Sequence, residues 1–160
     1  MPDPDSVPRP AIATTRAGLD DLDALATLFD AYRVFYRQPS DPTVARAFLR
    51  ERLRRGESVI LLSRDTHDGA ALGFTQLYPS FSSVSAGRIW ILNDLFVAAT
   101  ARRRGVARAL MASARAFAVG TGALRLVLET AEDNHHARAL YESLGYVREG
   151  GTRHYSLELD

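Results

Sequence analysis

Apolar positions fall into short runs of two kinds. Ile12 to Arg16 is brief and rich in β-branched side chains (Ile12, Thr14, Thr15), which predicts a first strand, broken by Gly18. Leu22, Leu25, Ala26, Phe29 and Tyr32 then recur at helical spacing. Asp20, Asp21 and Asp23 stand at the start of that helix, where carboxylates meet free N–H groups. After a break at Pro39 to Pro42, Asp41 predicts the cap of a second helix over 43–55, with Val44, Ala47, Phe48 and Leu53 on its apolar side. Val59 to Leu62 is too short for a buried helix and reads as a strand within 57–64. His67-Asp68-Gly69 turns the chain, 70–78 forms another strand ended by Pro79, and the serine-rich stretch 80–87 reads as a loop.

In Arg88 to Val97 every residue after Arg88 is apolar except Asn93 and Asp94, as in a central strand. A helix is expected over 100–120 with Gly105 near its start, a strand over 123–130, and a helix over 134–144 stopped by Gly145. Residues 146–148 and 152–159 read as two last strands around Gly150-Gly151. Strand–helix alternation after a hairpin-like middle predicts a mixed-sheet α/β domain. Met1 to Pro10 carries four prolines and no periodicity, so 1–10 reads as a flexible tail ahead of one domain over 11–160. No basic start precedes an apolar core, and no run approaches the ~18 apolar residues of a membrane span. Those features point to a cytoplasmic location with no membrane partner.

Charge and composition then restrict the chemistry. The chain has 160 residues and a net charge of +1, so no global field draws it to nucleic acid or anionic lipid. Cysteine is absent, which removes disulfides, thiolate metal sites and a cysteine nucleophile. All 20 basic residues are arginine, a usage that codon bias explains, so lysine Schiff-base chemistry and a P-loop lysine are also excluded.

The strongest local signal lies where the apolar strand ends. Asn93-Asp94-Leu95-Phe96-Val97 is followed by Ala98-Ala99-Thr100-Ala101, the triplet Arg102-Arg103-Arg104, and Gly105-Val106-Ala107 opening a helix. A helix start exposes unpaired N–H groups, small residues let an anion approach them, and arginines add charge-assisted hydrogen bonds. That pattern suits a pyrophosphate, yet neither G-x-G-x-x-G nor G-x-x-x-x-G-K is present. Arg102-x-x-Gly105-x-Ala107 resembles the coenzyme A motif of the GNAT N-acetyltransferase superfamily. Asn134, Ala137, Leu140, Tyr141, Gly145 and Tyr146 resemble that superfamily's later motif, N-x-x-A-x-x-L/F-Y-x-x-x-G-F/Y.

The resemblance implies a single-domain GNAT fold over roughly 12–159: a mixed, mostly antiparallel sheet of about seven strands flanked by about four helices. It implies acetyl-coenzyme A as co-substrate, held by backbone N–H groups from Arg103 to Ala107, with Phe96 and Val97 pairing with the pantetheine arm. Asn134 reads either as a coenzyme contact or as an ordinary helix cap. Tyr141 reads as the acid that protonates the departing thiolate, or as a core aromatic.

Asp94 is a charge inside an apolar strand, costly unless paired or used. It reads as the base for the substrate ammonium, direct or through water, or as a carboxylate paired with an arginine or with backbone. The stretch resembles the spermidine/spermine acetyltransferase branch, but Asn93 stands where that branch carries a first carboxylate. Tyr32, Tyr36, Gln76 and Tyr78 are candidates for the acceptor wall, in segments similar to a bacterial and fungal group of small histone- and amino-acid-acetylating enzymes. His135-His136 are adjacent on a helix and cannot chelate as an i, i+4 pair, so no metal is expected.

The function expected is therefore acetyl transfer to a primary amine, small-molecule or peptide, by direct attack in a ternary complex, in an enzyme expected to be a homodimer. Two rivals differ in class. One is a module that binds acyl-coenzyme A without turnover. The other is a basic helix (Arg102 to Arg104, Arg108, Arg115) on nucleic acid, against which stand the near-zero net charge and the interleaved Val106, Leu110 and Phe117.

Overall fold

The computed structural model describes residues 11–159. The tail expected over 1–10 lies outside them. The chain falls into two compact units, one reaching to Leu128 and one beginning at Glu129.

The first unit is built on a five-stranded sheet in the order β1-β2-β3-β4-β5, with β1 at Ile12–Arg16, β2 at Val59–Asp65, β3 at Ala71–Ser82, β4 at Gly87–Val97 and β5 at Arg125–Val127. Every neighbouring pair is antiparallel except β4 and β5, which run parallel. Helix α1 (Leu22–Phe35) and helix α2 (Pro42–Arg55) cover one face. Leu22, Leu25, Leu28 and Phe29 of α1 pack with Ala45 and Leu49 of α2 over Ile60, Leu62 and Phe74. Helix α3 (Val106–Gly120) covers the other face with Val106, Leu110, Met111, Ala114 and Ala118. Both faces being covered, β2 is buried over its first five residues, as an apolar run without alternation demands.

Local chemistry sets the boundaries. Asp41 Oδ1 accepts from the Val44 N–H at 3.0 Å while Pro42 opens α2, and Gly56 ends it at φ 63°. Phe74 faces α1 and α2, on the side opposite to Gly73, since strand neighbours alternate. Its ring sits 6.1 Å from Phe29 and 5.9 Å from Tyr32. A Cβ built on Gly73 would instead point at Val106 of α3.

Several expectations need correction. β3 continues through Pro79 to Ser82, so the loop shrinks to a turn over 83–86. β2 ends opposite Leu77, leaving β3 an edge strand beyond it, where a proline's missing N–H costs nothing. The helix expected from residue 100 begins at Val106. A 3-10 turn at Ala99–Ala101 and positive φ values at Arg103 (63°) and Gly105 (80°) keep the Arg triplet out of it. β5 is only Arg125–Val127.

In the second unit, helix α4 (His135–Ser143) has Asn134 as its cap, and Gly145 follows it at φ 89°. No strand is assigned over 146–159, so the sheet among the described residues has five strands rather than about seven. Alternation at Tyr155, Leu157 and Leu159 gives a strand-like face, but a strand also needs a ladder partner. All three side chains are exposed.

Candidate active site

The site in the first unit starts from one extra residue. Gln76 pairs with Asp94, but the next residue of β3, Leu77, pairs with Leu92, so Asn93 bulges out of β4 unpaired. The bulge decides which of two neighbouring polar residues turns inward. Asn93 is exposed, and Asp94 is buried at 3% exposure.

Neutral donors surround the buried carboxylate. Gln76 donates from Nε2 to Asp94 Oδ2 at 2.6 Å, and Asn93 donates from Nδ2 to Oδ1 at 3.0 Å. Tyr32 lies within electrostatic reach of the carboxylate. Thr75 donates to the Asp94 backbone carbonyl at 2.7 Å, which pins the bulge. Among the described residues no arginine forms an ion pair with Asp94. Gln76 is wholly buried; with Nε2 committed to the carboxylate, its Oε1 has no partner.

Burial, and then the Asp94 charge, push the Tyr32 phenol far above its ordinary pKa. The same causes, in the same order, push Tyr78 up to about 12. Tyr32 also sits edge-on to Phe96, with centroids 6.2 Å apart, and to Tyr36 at 4.9 Å. Tyr32, Gln76, Tyr78 and Asn93 thus gather around Asp94, while Tyr36 is half-exposed and touches the cluster through Tyr32.

The second feature is an opened edge. β4 pairs with β5 only through Ile89, Ile91 and the Trp90 between them. From Leu92 to Val97, on that side, β4 has no ladder partner among the described residues. Phe96 and Val97 lie on this open stretch. Gly73 faces Val97 across the ladder, and a Cβ there would meet the Phe96 carbonyl at 2.6 Å, so the end of β4 is held close to β3. Gly73 escaped notice in the sequence; a lone glycine inside a strand pattern is the signal of such a close approach.

Beyond that edge, α3 starts at Gly105 with no side-chain cap, leaving its first N–H groups without intrahelical acceptors. A Cβ on Gly105 would meet nothing within 4 Å, so it is the left-handed φ that requires glycine. Val106 is buried and offers only its backbone, and Ala107 is half-buried. Arg102 and Arg103 are exposed. Arg104 is committed elsewhere: its guanidinium donates to Asp65 Oδ2 at 2.6 Å, tying this loop to the end of β2 and holding the Asp65 carboxyl below its usual range. An uncapped helix start, small residues at the turn and an adjacent unpaired strand edge fit an extended ligand with a diphosphate at one end.

In the second unit Asn134 Oδ1 accepts from the Ala137 N–H at 3.3 Å, the helix-cap arrangement. Tyr141 is half-buried on α4, its ring 6.0 Å from that of Tyr146.

Comparison with known proteins decides the family. The model of the acetyltransferase (GNAT) family matches residues 23–146. The chain belongs to the GNAT acetyltransferase family. It is 49% identical over 144 residues to an uncharacterized N-acetyltransferase, YhfO, of Bacillus subtilis, covering 90% of this chain and 95% of that protein. It is 34% identical over 139 residues to a probable acetyltransferase of Haemophilus influenzae, covering 87% and 92%. The crystal structure of a probable acetyltransferase superposes with a TM-score of 0.87 at 45% identity, covering 92% of this chain and 98% of that one. The α/β fold described above is thus the GNAT fold, and the chain is an acyl-coenzyme A-dependent N-acetyltransferase in general terms. GNAT enzymes use acetyl-coenzyme A, and the open edge and uncapped turn are compatible with it. Among the described residues no helix is long and apolar enough to cross a membrane, and no group of three His, Asp or Glu gathers as metal ligands would.

Proposed function

We propose that this GNAT enzyme moves an acetyl group from acetyl-coenzyme A to a primary amine, small-molecule or peptide, by direct attack in a ternary complex. One observation carries this reading: a buried carboxylate, Asp94, ringed by neutral donors and aromatic rings, on the same strand as the open edge. An ammonium is no nucleophile until it loses a proton, and Asp94 is the acceptor for that proton. Cysteine is absent from the chain, so no acyl-thioenzyme forms, and the thioester itself supplies the acetyl group.

The remaining roles are those the motif resemblance implies. The N–H groups from Arg103 to Ala107 hold the diphosphate, with Arg102 and Arg103 adding charge. Phe96 and Val97 extend the sheet to the pantetheine arm, and the Val97 N–H polarises the thioester carbonyl. Tyr141 gives its phenolic proton to the sulfur. Asn134 caps α4 and thereby fixes where that helix starts. Tyr32, Tyr36, Gln76, Tyr78 and Asn93 form the acceptor side. A homodimer belongs to this reading through the resemblance to GNAT enzymes, and a cytoplasmic location is the expectation that accompanies it.

The test is a screen of primary amines for acetyl-coenzyme A-dependent thiol release, with mass spectrometry of the product. An acetylated amine formed in step with free thiol is expected. Tight acetyl-coenzyme A binding without thiol release from any amine would make the protein a non-catalytic binding module instead.

A further inference from the structure

Two hydrogen bonds hold the Asp94 carboxylate, one on each oxygen: Gln76 Nε2 donates to Oδ2 at 2.6 Å and Asn93 Nδ2 to Oδ1 at 3.0 Å. The two donors differ in their freedom. Gln76 is wholly buried on β3, directly across the ladder from Asp94, whereas Asn93 stands exposed on the bulge. A buried amide is costly when half of it is unpaired, and Gln76 Oε1 has no partner. A methionine or leucine would fill the position without leaving an oxygen orphaned. The bond from Nε2 to Asp94 is therefore what this amide contributes. Turned over, it would set Oε1 against the carboxylate, acceptor against acceptor, so the charge on Asp94 also fixes which way Gln76 points.

We propose that Gln76 is a positioning residue that holds Oδ2 of Asp94 and thereby makes Oδ1 the oxygen that takes the proton from the acceptor amine. This rests on the reading of Asp94 as the base. Protonating Oδ2 would bring its O–H against the Gln76 N–H, inside a core where the amide cannot turn to water. Protonating Oδ1 displaces Asn93, whose exposed amide regains its hydrogen bonds from solvent. The proton leaves the ammonium nitrogen for Oδ1, and the nitrogen keeps the bonding pair as its lone pair. Asp94 becomes the neutral acid with Oδ2 as its carbonyl oxygen. Gln76 still donates to that carbonyl, so the carboxyl keeps one orientation in both protonation states. The titratable groups that feel the Asp94 charge are the phenols of Tyr32 on α1 and Tyr78 on β3, and Arg52 of α2 acts on Tyr78 in the opposite sense.

Gln76→Met removes the donor and keeps most of the volume. With a basic amine at pH 7 the expected loss in kcat is about 10–100-fold, the range of a hydrogen bond to a charged group, with acetyl-coenzyme A affinity unchanged by calorimetry. In an Asp94→Asn background the same substitution should add no further loss, because Gln76 acts through that carboxylate. Difference infrared spectra across an acid titration read the oxygen directly. The carbonyl stretch of the protonated carboxyl is the band that Asp94→Asn removes. A hydrogen bond to a carbonyl oxygen lowers its stretch, so Gln76→Met should move that band to higher frequency. If Gln76→Met does not fold, Gln76→Glu fills the same volume and sets a second carboxyl beside Asp94, which should move the acidic limb of kcat/KM to higher pH.

Wild-type kcat in Gln76→Met, with Asp94→Asn inactive, would overturn the proposal and leave Asp94 as base. A loss of equal size in both backgrounds would reduce Gln76 to a matter of packing and overturn it too. An unmoved carbonyl stretch would put the proton on Oδ2, and an unmoved acidic limb in Gln76→Glu would separate residue 76 from the base; either result contradicts the proposal. A fully active Asp94→Asn would remove the base itself, and the role of Gln76 with it.

Discussion

At the scale of single residues, the proposed mechanism places the chemistry on Asp94 and Tyr141, and each makes a prediction. Asp94→Asn is nearly isosteric and retains an acceptor for Gln76. It should lower kcat/KM for a basic amine by at least about 100-fold near neutral pH while leaving thermal stability within about 1 kcal/mol. Steady-state kinetics alongside thermal melts would separate the two effects. Tyr141→Phe should lower kcat by about 10–1000-fold with little change in acetyl-coenzyme A affinity. An unchanged kcat, with chemistry shown to be rate-limiting, would take Tyr141 out of the mechanism. The sequence showed Asp94 as a charge in an apolar strand. It could not show that Asn93 was the bulged residue. A bulge is a register mismatch between β3 and β4, fixed by pairing that no local pattern encodes. Nor could it show that Arg104 is drawn to Asp65, 39 residues away.

At the scale of elements, two glycines separate stability from binding. Gly105→Ala forces an L-residue to φ 80° at an otherwise open position. It should destabilise by about 1 kcal/mol and weaken acetyl-coenzyme A binding, because the turn that presents the N–H groups must relax. Gly56→Ala, at φ 63° behind α2, should cost similar stability without affecting binding. Gly73→Ala places a Cβ 2.6 Å from the Phe96 carbonyl, so β4 must move away from β3. A loss of about 1–3 kcal/mol in chemical denaturation, with weaker coenzyme binding, is expected. β1, α1, α2 and α4 were legible to within a residue or two because their caps, prolines and apolar spacing all agree. β3 was cut short because Pro79 reads as a stop unless its edge position is known. The two final strands were wrong for a related reason: alternation supplies a face but no ladder partner.

At the scale of the whole molecule, ion pairs tie distant segments together. Asp21 sits below its usual pKa through the Gly18 N–H and Arg64, and Asp65 through Arg104 and the His67 N–H. For carboxyls lowered in the folded state, the stabilisation is complete above the unfolded pKa of about 4. It is lost as pH falls through the folded values. The melting temperature should therefore drop below about pH 4, and Asp65→Asn should flatten that drop. An Asp65→Asn profile parallel to wild type would show that the Arg104 pair adds nothing to acid stability.

The account rests on one place, the start of α3 beside the open end of β4, receiving acetyl-coenzyme A. Backbone 15N NMR during a titration with acetyl-coenzyme A reads that place directly. The largest amide shifts should fall on Phe96 and Val97 and on Arg103 to Ala107, saturating together. Saturable shifts confined to other surfaces, such as the exposed arginines of α2, would contradict it.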